Sequence, residues 1–425
     1  MTLAICACFA LLLLMGVPIA VILGVTTMTA LFFFSDTPLH IITQQLFNAL
    51  DKFILLAIPF FIVAGAIMTR GGIARRLIAF VNALVGWFPG GLAIAGVLAC
   101  IFFAAISGSS PATVVAIGSI MIPALLKADY DQKFALGLIT VSGSLGIIIP
   151  PSIPMILYCL VMNVSVAEMF IAGVLPGLMI GAALIGYTYV KARKHNWRIE
   201  KRASLREIVT TARQGMWALF LPVIVLGGIY SGMFTPTEAA AVSVIYALVV
   251  EMFIYREFGI KDITSICEQA AVLSACLLFI LACAMTFIWF LTAEQIPQKL
   301  ADIIIVHINS PWLFLLSVNI LFLVLGCFMD DVSAMLVLAP LFLETLNRYG
   351  IDLVHFGIVM ILNIQMGMLT PPFGLNLFVS SGITGKPLAL IAKGVMPFLV
   401  IMLICLLIVT YVPWISLVLP ELLLK

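Results

Sequence analysis

Residues 105–126 read AISGSSPATVVAIGSIMIPALL, and residues 141–158 read VSGSLGIIIPPSIPMILY. The first stretch sets a polar SGSSP turn, 107–111, between apolar runs, and Lys127, Asp129, Asp131 and Lys133 follow at once. A membrane-spanning helix needs about 20 consecutive apolar residues. Here the chain enters, turns and leaves without one, the pattern of a re-entrant hairpin or an interrupted helix; an ordinary kinked span is the plainer alternative. The second stretch predicts a helix broken in mid-membrane. A proline removes a backbone donor and frees the carbonyl one turn back, and Pro150–Pro151 follow Gly143 and Gly146. Unwound backbone at that depth must be buried in protein or line a wet cavity.

Both patterns recur. Residues 326–343 read GCFMDDVSAMLVLAPLFL and 362–379 read LNIQMGMLTPPFGLNLFV, with Gly367 ahead of Pro371–Pro372. Pro123 falls on Pro340, Pro150 on Pro371, Pro18 on Pro236 and Pro89 on Pro311, all at nearly the same spacing along the chain. Chance likeness among proline-containing membrane helices is the alternative, but four anchors in one order favour a repeat. The chain therefore divides into a first repeat, 1–190, and a second, 214–425, with hairpins near 107–126 and 326–346 and broken helices near 142–155 and 363–376. An internal repeat in a membrane protein places a transport site between the halves, and an odd number of crossings in the first half inserts the second upside down.

Composition sets the phase. The chain has 425 residues, of which 64% are hydrophobic and 9% charged, and its mean hydropathy is +1.26. Soluble domains are about half apolar and roughly a quarter charged, so this is a polytopic membrane protein. A net charge of +2 gives no support to nucleic-acid binding. The nine cysteines form no CxxC pair and read as packing residues. The opening apolar run has no basic start, so it reads as a first transmembrane helix rather than a cleaved signal. Residues 191–213 hold eight of the 21 basic residues and should be cytoplasmic.

The polar candidates cluster at the turns and breaks. Ser107, Ser109, Ser110 and Thr113 lie on the first turn; Ser142, Ser144 and Ser152 flank the first break; Asn363, Gln365, Thr370 and Asn376 flank the second. Carbonyl, hydroxyl and amide oxygens without formal charge can replace water around sodium, and a half-helix N-terminus suits a carboxylate. The paired clusters favour a site, although a single membrane serine more often ties helices together. Asp330 and Asp331 could bind an ion or cap the helix that follows, since charge at membrane depth is functional, paired or interfacial. Glu238, with Thr235 or Thr237, reads as a helix cap. The four histidines are far apart, and no HExxH, GxSxG or Walker pattern is present, so an enzyme is not expected. Without a nucleotide-binding motif, uphill movement would draw on an ion gradient.

At SGSSPAT with GIIIPPSIPMILY, at GMFTPTEAAA and at MGMLTPPFGLNLF, the sequence resembles the large membrane subunit of tripartite ATP-independent periplasmic (TRAP) transporters, over essentially the whole chain. The resemblance implies an all-α, elevator-type transporter in the bacterial inner membrane, with two inverted repeats, about 11 or 12 transmembrane helices and two re-entrant hairpins. It implies symport with two or more sodium ions, a small four-helix membrane partner and a periplasmic substrate-binding protein. Its substrates would be organic acids: C4-dicarboxylates, sialic acid, other sugar acids or keto acids. Carried over, sodium would be held by Ser107, Gly108, Ser109, Ser144, Gly146, Pro150, Gly326, Cys327, Asp330, Gly367, Thr370 and Pro371. The substrate would meet Ser110, Thr113, Ser152, Asn363, Gln365 and Asn376. A self-sufficient sodium–dicarboxylate symporter of related fold is the alternative within transport; a channel or an intramembrane enzyme is the alternative outside it.

The basic segment yields a topology prediction. In a cysteine-free background, Lys201→Cys is expected to resist an impermeant thiol reagent added outside intact cells. Rapid labelling from outside would reverse the orientation.

Overall fold

The structure, a computed structural model, describes residues 2–35, 37–195, 197, 201–371 and 374–424. Pro372, the second member of the later proline pair, and residues 196 and 198–200 of the basic segment lie outside the described residues. The first half consists of α1 (Thr2–Leu14), α2 (Ile19–Phe34), α3 (His40–Leu50), α4 (Ala57–Arg70), α5 (Ile73–Val85), α6 (Gly91–Ser107), α7 (Ser110–Lys127), α8 (Gln132–Gly143), α9 (Ile153–Met162) and α10 (Val166–His195). The second consists of α11 (Leu205–Tyr230), α12 (Pro236–Val249), α13 (Ile260–Ala293), α14 (Ile296–His307), α15 (Pro311–Gly326), α16 (Asp331–Tyr349), α17 (Leu353–Gly367), α18 (Leu375–Thr384) and α19 (Leu388–Tyr411), followed by α20 (Trp414–Leu423). No β-strand occurs among the described residues.

The two halves match element by element. The starts of α5 to α10 precede those of α14 to α19 by a nearly constant spacing, the one that superimposes the proline pairs. Their turns match as well. Asp131 caps α8 by accepting from Phe134 N at 2.8 Å, and its counterpart Asp352 caps α17 by accepting from His355 N at 2.9 Å. Asp129 and Gly350 both have positive φ (59° and 66°) just before those caps, and Asn163 and Gly385 (54° and 64°) end α9 and α18. Asp and Asn are the non-glycine residues that enter this region at least cost. One local difference has a visible cause. α13 runs unbroken for 34 residues, whereas the first half divides the same length into α3, a 3₁₀ turn at Phe53–Leu56 and α4. The charged pair Asp51–Lys52 sits at that division.

Packing exchanges the halves. α7 lies on α18 as α16 lies on α9; α8 lies on α19 as α17 lies on α10; α4 lies on α12 as α13 lies on α2. Seven helices among the described residues are long and apolar enough to cross a membrane. Fewer spans qualify by length than the 11 or 12 expected, because other apolar helices are only 10–17 residues long, and α14 meets α15 at a bend of 119°. Outward side chains such as Phe32, Phe47, Trp312 and Val400 are exposed and apolar, as lipid contact requires.

One joint holds the end of the molecule that carries the basic segment. Glu251, fully buried beyond the end of α12, accepts from Gly72 N and Ile73 N at 2.9 Å each, closing the start of α5. The Arg76 guanidinium lies 3.8 Å above the Tyr255 ring, and Tyr255 OH donates to Gln214 O of α11 at 2.6 Å. Arg75 and Arg76 each reach Glu257 Oε1 at 2.8 Å. Burial pushes the Glu257 carboxyl up, but these hydrogen bonds and charges outweigh it and hold the group below the usual range. Lys191, opening the basic segment, lies over the Phe134 ring at 4.7 Å, and Trp197 packs on Tyr130 and Phe134.

Hydrogen bonds to a charged acceptor contribute about 1.5–3 kcal/mol each. Glu251→Ala is therefore expected to lower the melting temperature of the purified chain by several degrees, with Glu251→Gln intermediate. Unchanged melting in Glu251→Ala would show that the joint does not hold the scaffold.

Candidate functional site

Each hairpin turn is set against the helix break of its own repeat. In the first, Gly108 turns the chain at φ +61°, and its carbonyl accepts from Ile153 N, just past the break, at 3.3 Å. Ser107 Oγ and Thr113 Oγ1 lie 2.9 Å apart, and Thr113 Oγ1 donates to Ser109 O at 2.9 Å. Gly146 of the break presses on this group: a Cβ there would meet Ser109 O at 2.5 Å and Thr113 Oγ1 at 2.7 Å. In the second, a Cβ on Gly367 would meet the Gly326 backbone at 2.5 Å. Only glycine lets the two segments approach so closely.

The breaks also meet each other. Gln365 Nε2 donates to Ser144 Oγ at 2.7 Å, and Ser144 Oγ donates to Val141 O at 2.6 Å. Ser144 and Gln365 are equivalent positions of the two repeats, so the repeats cross where these residues touch. Asn376 Nδ2 donates to Ser110 Oγ at 2.6 Å, and Thr140 and Ser380 hydroxyls lie 2.6 Å apart. All six side chains are fully buried. Gln365 Oε1, Asn376 Oδ1 and Ser142 Oγ have no hydrogen-bond partner among the described residues. A buried polar oxygen without a protein partner is ordinarily met by a bound water or an ion.

A cavity of about 750 Å³ opens between the two hairpin turns and the scaffold helices α4 and α13. Ser107, Gly108 and Ser109 form one end and Asp330 and Asp331 another; Thr69, Arg70 and Gln269 face them. Arg70 Nη1 donates to Ser265 Oγ at 3.1 Å, and its Nη2 lies 4.0 Å from Asp262. Since Arg70 immediately precedes the Glu251 joint, the scaffold side of the cavity lies toward the end that carries the basic segment. Arg70 is the one cationic group among the described lining residues, suited to an anion.

The candidate residues are placed unequally. Ser107, Gly108, Ser109 and Asp330 line the cavity. Ser110, Thr113, Ser144, Gly146, Gln365 and Asn376 lie behind it, in the seam. Ser152 accepts from Met155 N and donates to Ile147 O, closing the break onto α9. Asp330 caps α16, its Oδ2 accepting from Ser333 N at 3.0 Å. Cys327 donates to Leu323 O and Thr370 Oγ1 to Met366 O, each one turn back. Asn363 is tied to Asn319 Oδ1 at 2.7 Å and Val359 O at 2.9 Å, and does not line the cavity. Glu238 and Thr235 cap α12 reciprocally, while Thr237 points to Phe53 O. Nothing in the local sequence singles out Arg70 or Gln269. A charge ending an apolar run reads as an interfacial anchor, and no local pattern marks Gln269.

The donor set suits a hard monovalent cation. Ser109 O, Gly108 O, Ser107 Oγ and Thr113 Oγ1 are neutral oxygens gathered at one turn, and the cradle against Gly146 is one that a Cβ would fill. Hard cations take oxygen ligands. No cluster of three His, Cys, Asp or Glu residues able to hold a metal occurs among the described residues.

Paired broken helices around a buried polar seam in an all-helical membrane protein are the architecture of secondary transporters. Residues 6–415 match the tripartite ATP-independent periplasmic transporter family, DctM component. The chain belongs to this family and is a TRAP transporter large permease component. It is 48% identical to the C4-dicarboxylate TRAP transporter large permease protein DctM of Pseudomonas aeruginosa, covering 94% of this chain and 93% of that one. It is 40% identical to the isethionate TRAP transporter permease protein DctMQ of Oleidesulfovibrio alaskensis, over 95% of this chain and 64% of that one. In fold it is similar to the crystal structure of the Alcanivorax borkumensis YdaH transporter, with a TM-score of 0.64 at 14% identity over 96% of this chain and 98% of that one.

Gly146→Ala places a methyl on Ser109 O and Thr113 Oγ1. Overpacking of this kind costs about 1–3 kcal/mol, so the variant is expected to fold with lowered melting and lost uptake. Uptake at the wild-type rate would dissociate the cradle from transport.

Proposed function

We propose that the chain imports a small organic anion, a C4-dicarboxylate or similar carboxylate, across the bacterial inner membrane, coupled to sodium and supplied by a periplasmic binding protein. The observation that carries this reading is the cavity bounded by both hairpin turns. It sets the neutral oxygens of the first turn and the Asp330 and Asp331 carboxyls of the second on the turn side and the Arg70 guanidinium on the scaffold side, so a cation and a carboxylate each meet matching chemistry. The 48% identity to a C4-dicarboxylate permease supports the substrate class. The word tripartite in the family description supports two further subunits, and the relative named DctMQ, of which this chain spans 64%, supports a small membrane subunit as one of them.

Sodium is assigned to the two turn-and-break junctions. The two repeats are inverted with respect to the bilayer, and the hairpins with their broken helices move as one body against α4 and α13. This elevator motion carries the cavity from one face to the other. Arg70 stays with the scaffold.

Uptake of radiolabelled succinate into proteoliposomes tests the reading. A sodium gradient, the small subunit and the binding protein are each expected to be required. Equal uptake by the chain alone would favour a self-sufficient symporter, and uptake indifferent to sodium would remove the coupling. Ser144→Ala removes the acceptor for Gln365 Nε2, and Thr370→Ala removes a hydroxyl beside the second break. Ser144→Ala, which leaves the buried Gln365 Nε2 without its acceptor, is expected to cost about 1–3 kcal/mol in stability and Thr370→Ala no more than about 1 kcal/mol, and each is expected to raise the sodium concentration for half-maximal uptake severalfold. An unchanged sodium midpoint in both variants, with normal uptake, would place the ion elsewhere.

A further inference from the structure

A second cavity, of about 570 Å³, lies between α1, the far end of α13, α14 and α16. Ile5, Phe9, Phe287, Ile303, Val337 and Leu341 give it apolar walls, and Lys299 is the one charged residue among its described lining. Lys299 is exposed and donates from Nζ to Glu294 O at 2.9 Å. The cavity sits at the Ala293 end of α13, opposite the end that begins beside the basic joint. One wall, α16, is the second arm of the second hairpin; the others belong to elements outside that hairpin.

Its shape and charge select an occupant. Walls this apolar do not hold ordered water, which needs two to four polar partners. A partner helix is too thick: a cylinder 10 Å across and 5.4 Å high takes about 400 Å³ per turn, so the space admits little more than one turn. A flexible hydrocarbon chain fits a slot of this kind. The lone ammonium at the edge matches a phosphate, as lysines near membrane surfaces match lipid headgroups. We propose that this cavity is a phospholipid site: an acyl chain fills the slot between α14 and α16, and the headgroup phosphate pairs with Lys299. The lipid then fills the seam along which the second hairpin contacts its surroundings. The site does not depend on which anion is transported.

The test uses the full-length chain reconstituted in vesicles of phosphatidylethanolamine and phosphatidylglycerol, with a photoactivatable diazirine in the phosphatidylglycerol acyl chain. Labelled positions are mapped by mass spectrometry, with lipid-facing Val400 as the internal reference. Val337 is only 6% exposed, so labelling there reports entry into the cavity rather than general lipid contact. Wild type is expected to label at Val337 and Leu341. Leu300→Trp, which fills the slot, is expected to cut that labelling severalfold relative to Val400. Lys299→Gln, an exposed change that leaves the walls intact, is expected to lower labelling by phosphatidylglycerol relative to an equivalent phosphatidylethanolamine probe. Absence of label at Val337 and Leu341 in wild type overturns the proposal whatever the variants do. Labelling unchanged in Leu300→Trp overturns the chain site, and a preference for phosphatidylglycerol over phosphatidylethanolamine in Lys299→Gln as large as in wild type overturns the headgroup pairing.

Discussion

Hydrocarbon offers no partner to a backbone N–H or C=O, so every break in a membrane helix has to be satisfied by protein, ligand or trapped water. In the first repeat the hairpin turn supplies a partner, Gly108 O receiving Ile153 N. In the second the break closes on its own backbone, Asn376 N donating to Met368 O at 3.1 Å, and the turn packs against it at Gly326 and Gly367. This constraint fixes much of the rest. It requires glycine at the contacts, draws the small hydroxyls and amides to the centre, and leaves apolar side chains to face lipid.

The seam between repeats rests on few hydrogen bonds. Gln365–Ser144, Asn376–Ser110 and Thr140–Ser380 each join one repeat to the other. Such bonds contribute about 0.6 kcal/mol on average in a membrane protein. Three of them amount to roughly 2 kcal/mol, far less than the packing around them, so their value lies more in register than in strength. They hold Gln365 and Asn376 so that each keeps an oxygen free at the centre.

A second polar network serves the helix bundle rather than the cavity. His355 Nδ1 lies 2.7 Å from Ser416 Oγ, and its Nε2 lies 3.3 Å from Thr410 O. Asn319 Nδ2 donates to Thr410 Oγ1 and Asn319 Oδ1 accepts from Asn363 Nδ2, tying α15, α17, α19 and α20 together. Asn363 Nδ2 is thus engaged by bundle contacts, while its Oδ1, like Gln365 Oε1 and Asn376 Oδ1, has no hydrogen-bond partner among the described residues.

The membrane class, the repeat and the four special segments were legible in the sequence because they depend on local chemistry: apolar run length, proline pairs, glycine and short polar turns. The cap formed by Thr235 and Glu238 was equally local. The sequence could not show that Arg70 and Gln269 face Ser107 and Asp330 across one cavity, because α4 and α13 are brought there by packing between distant parts of the chain. Nor could it separate Asp330 as a cap from Asp330 as a cavity residue; the structure gives it both positions. Local composition by itself determined where the helices break. Only tertiary structure decided what each break meets, since an unwound backbone in lipid takes its partners from whichever distant segment folding places beside it.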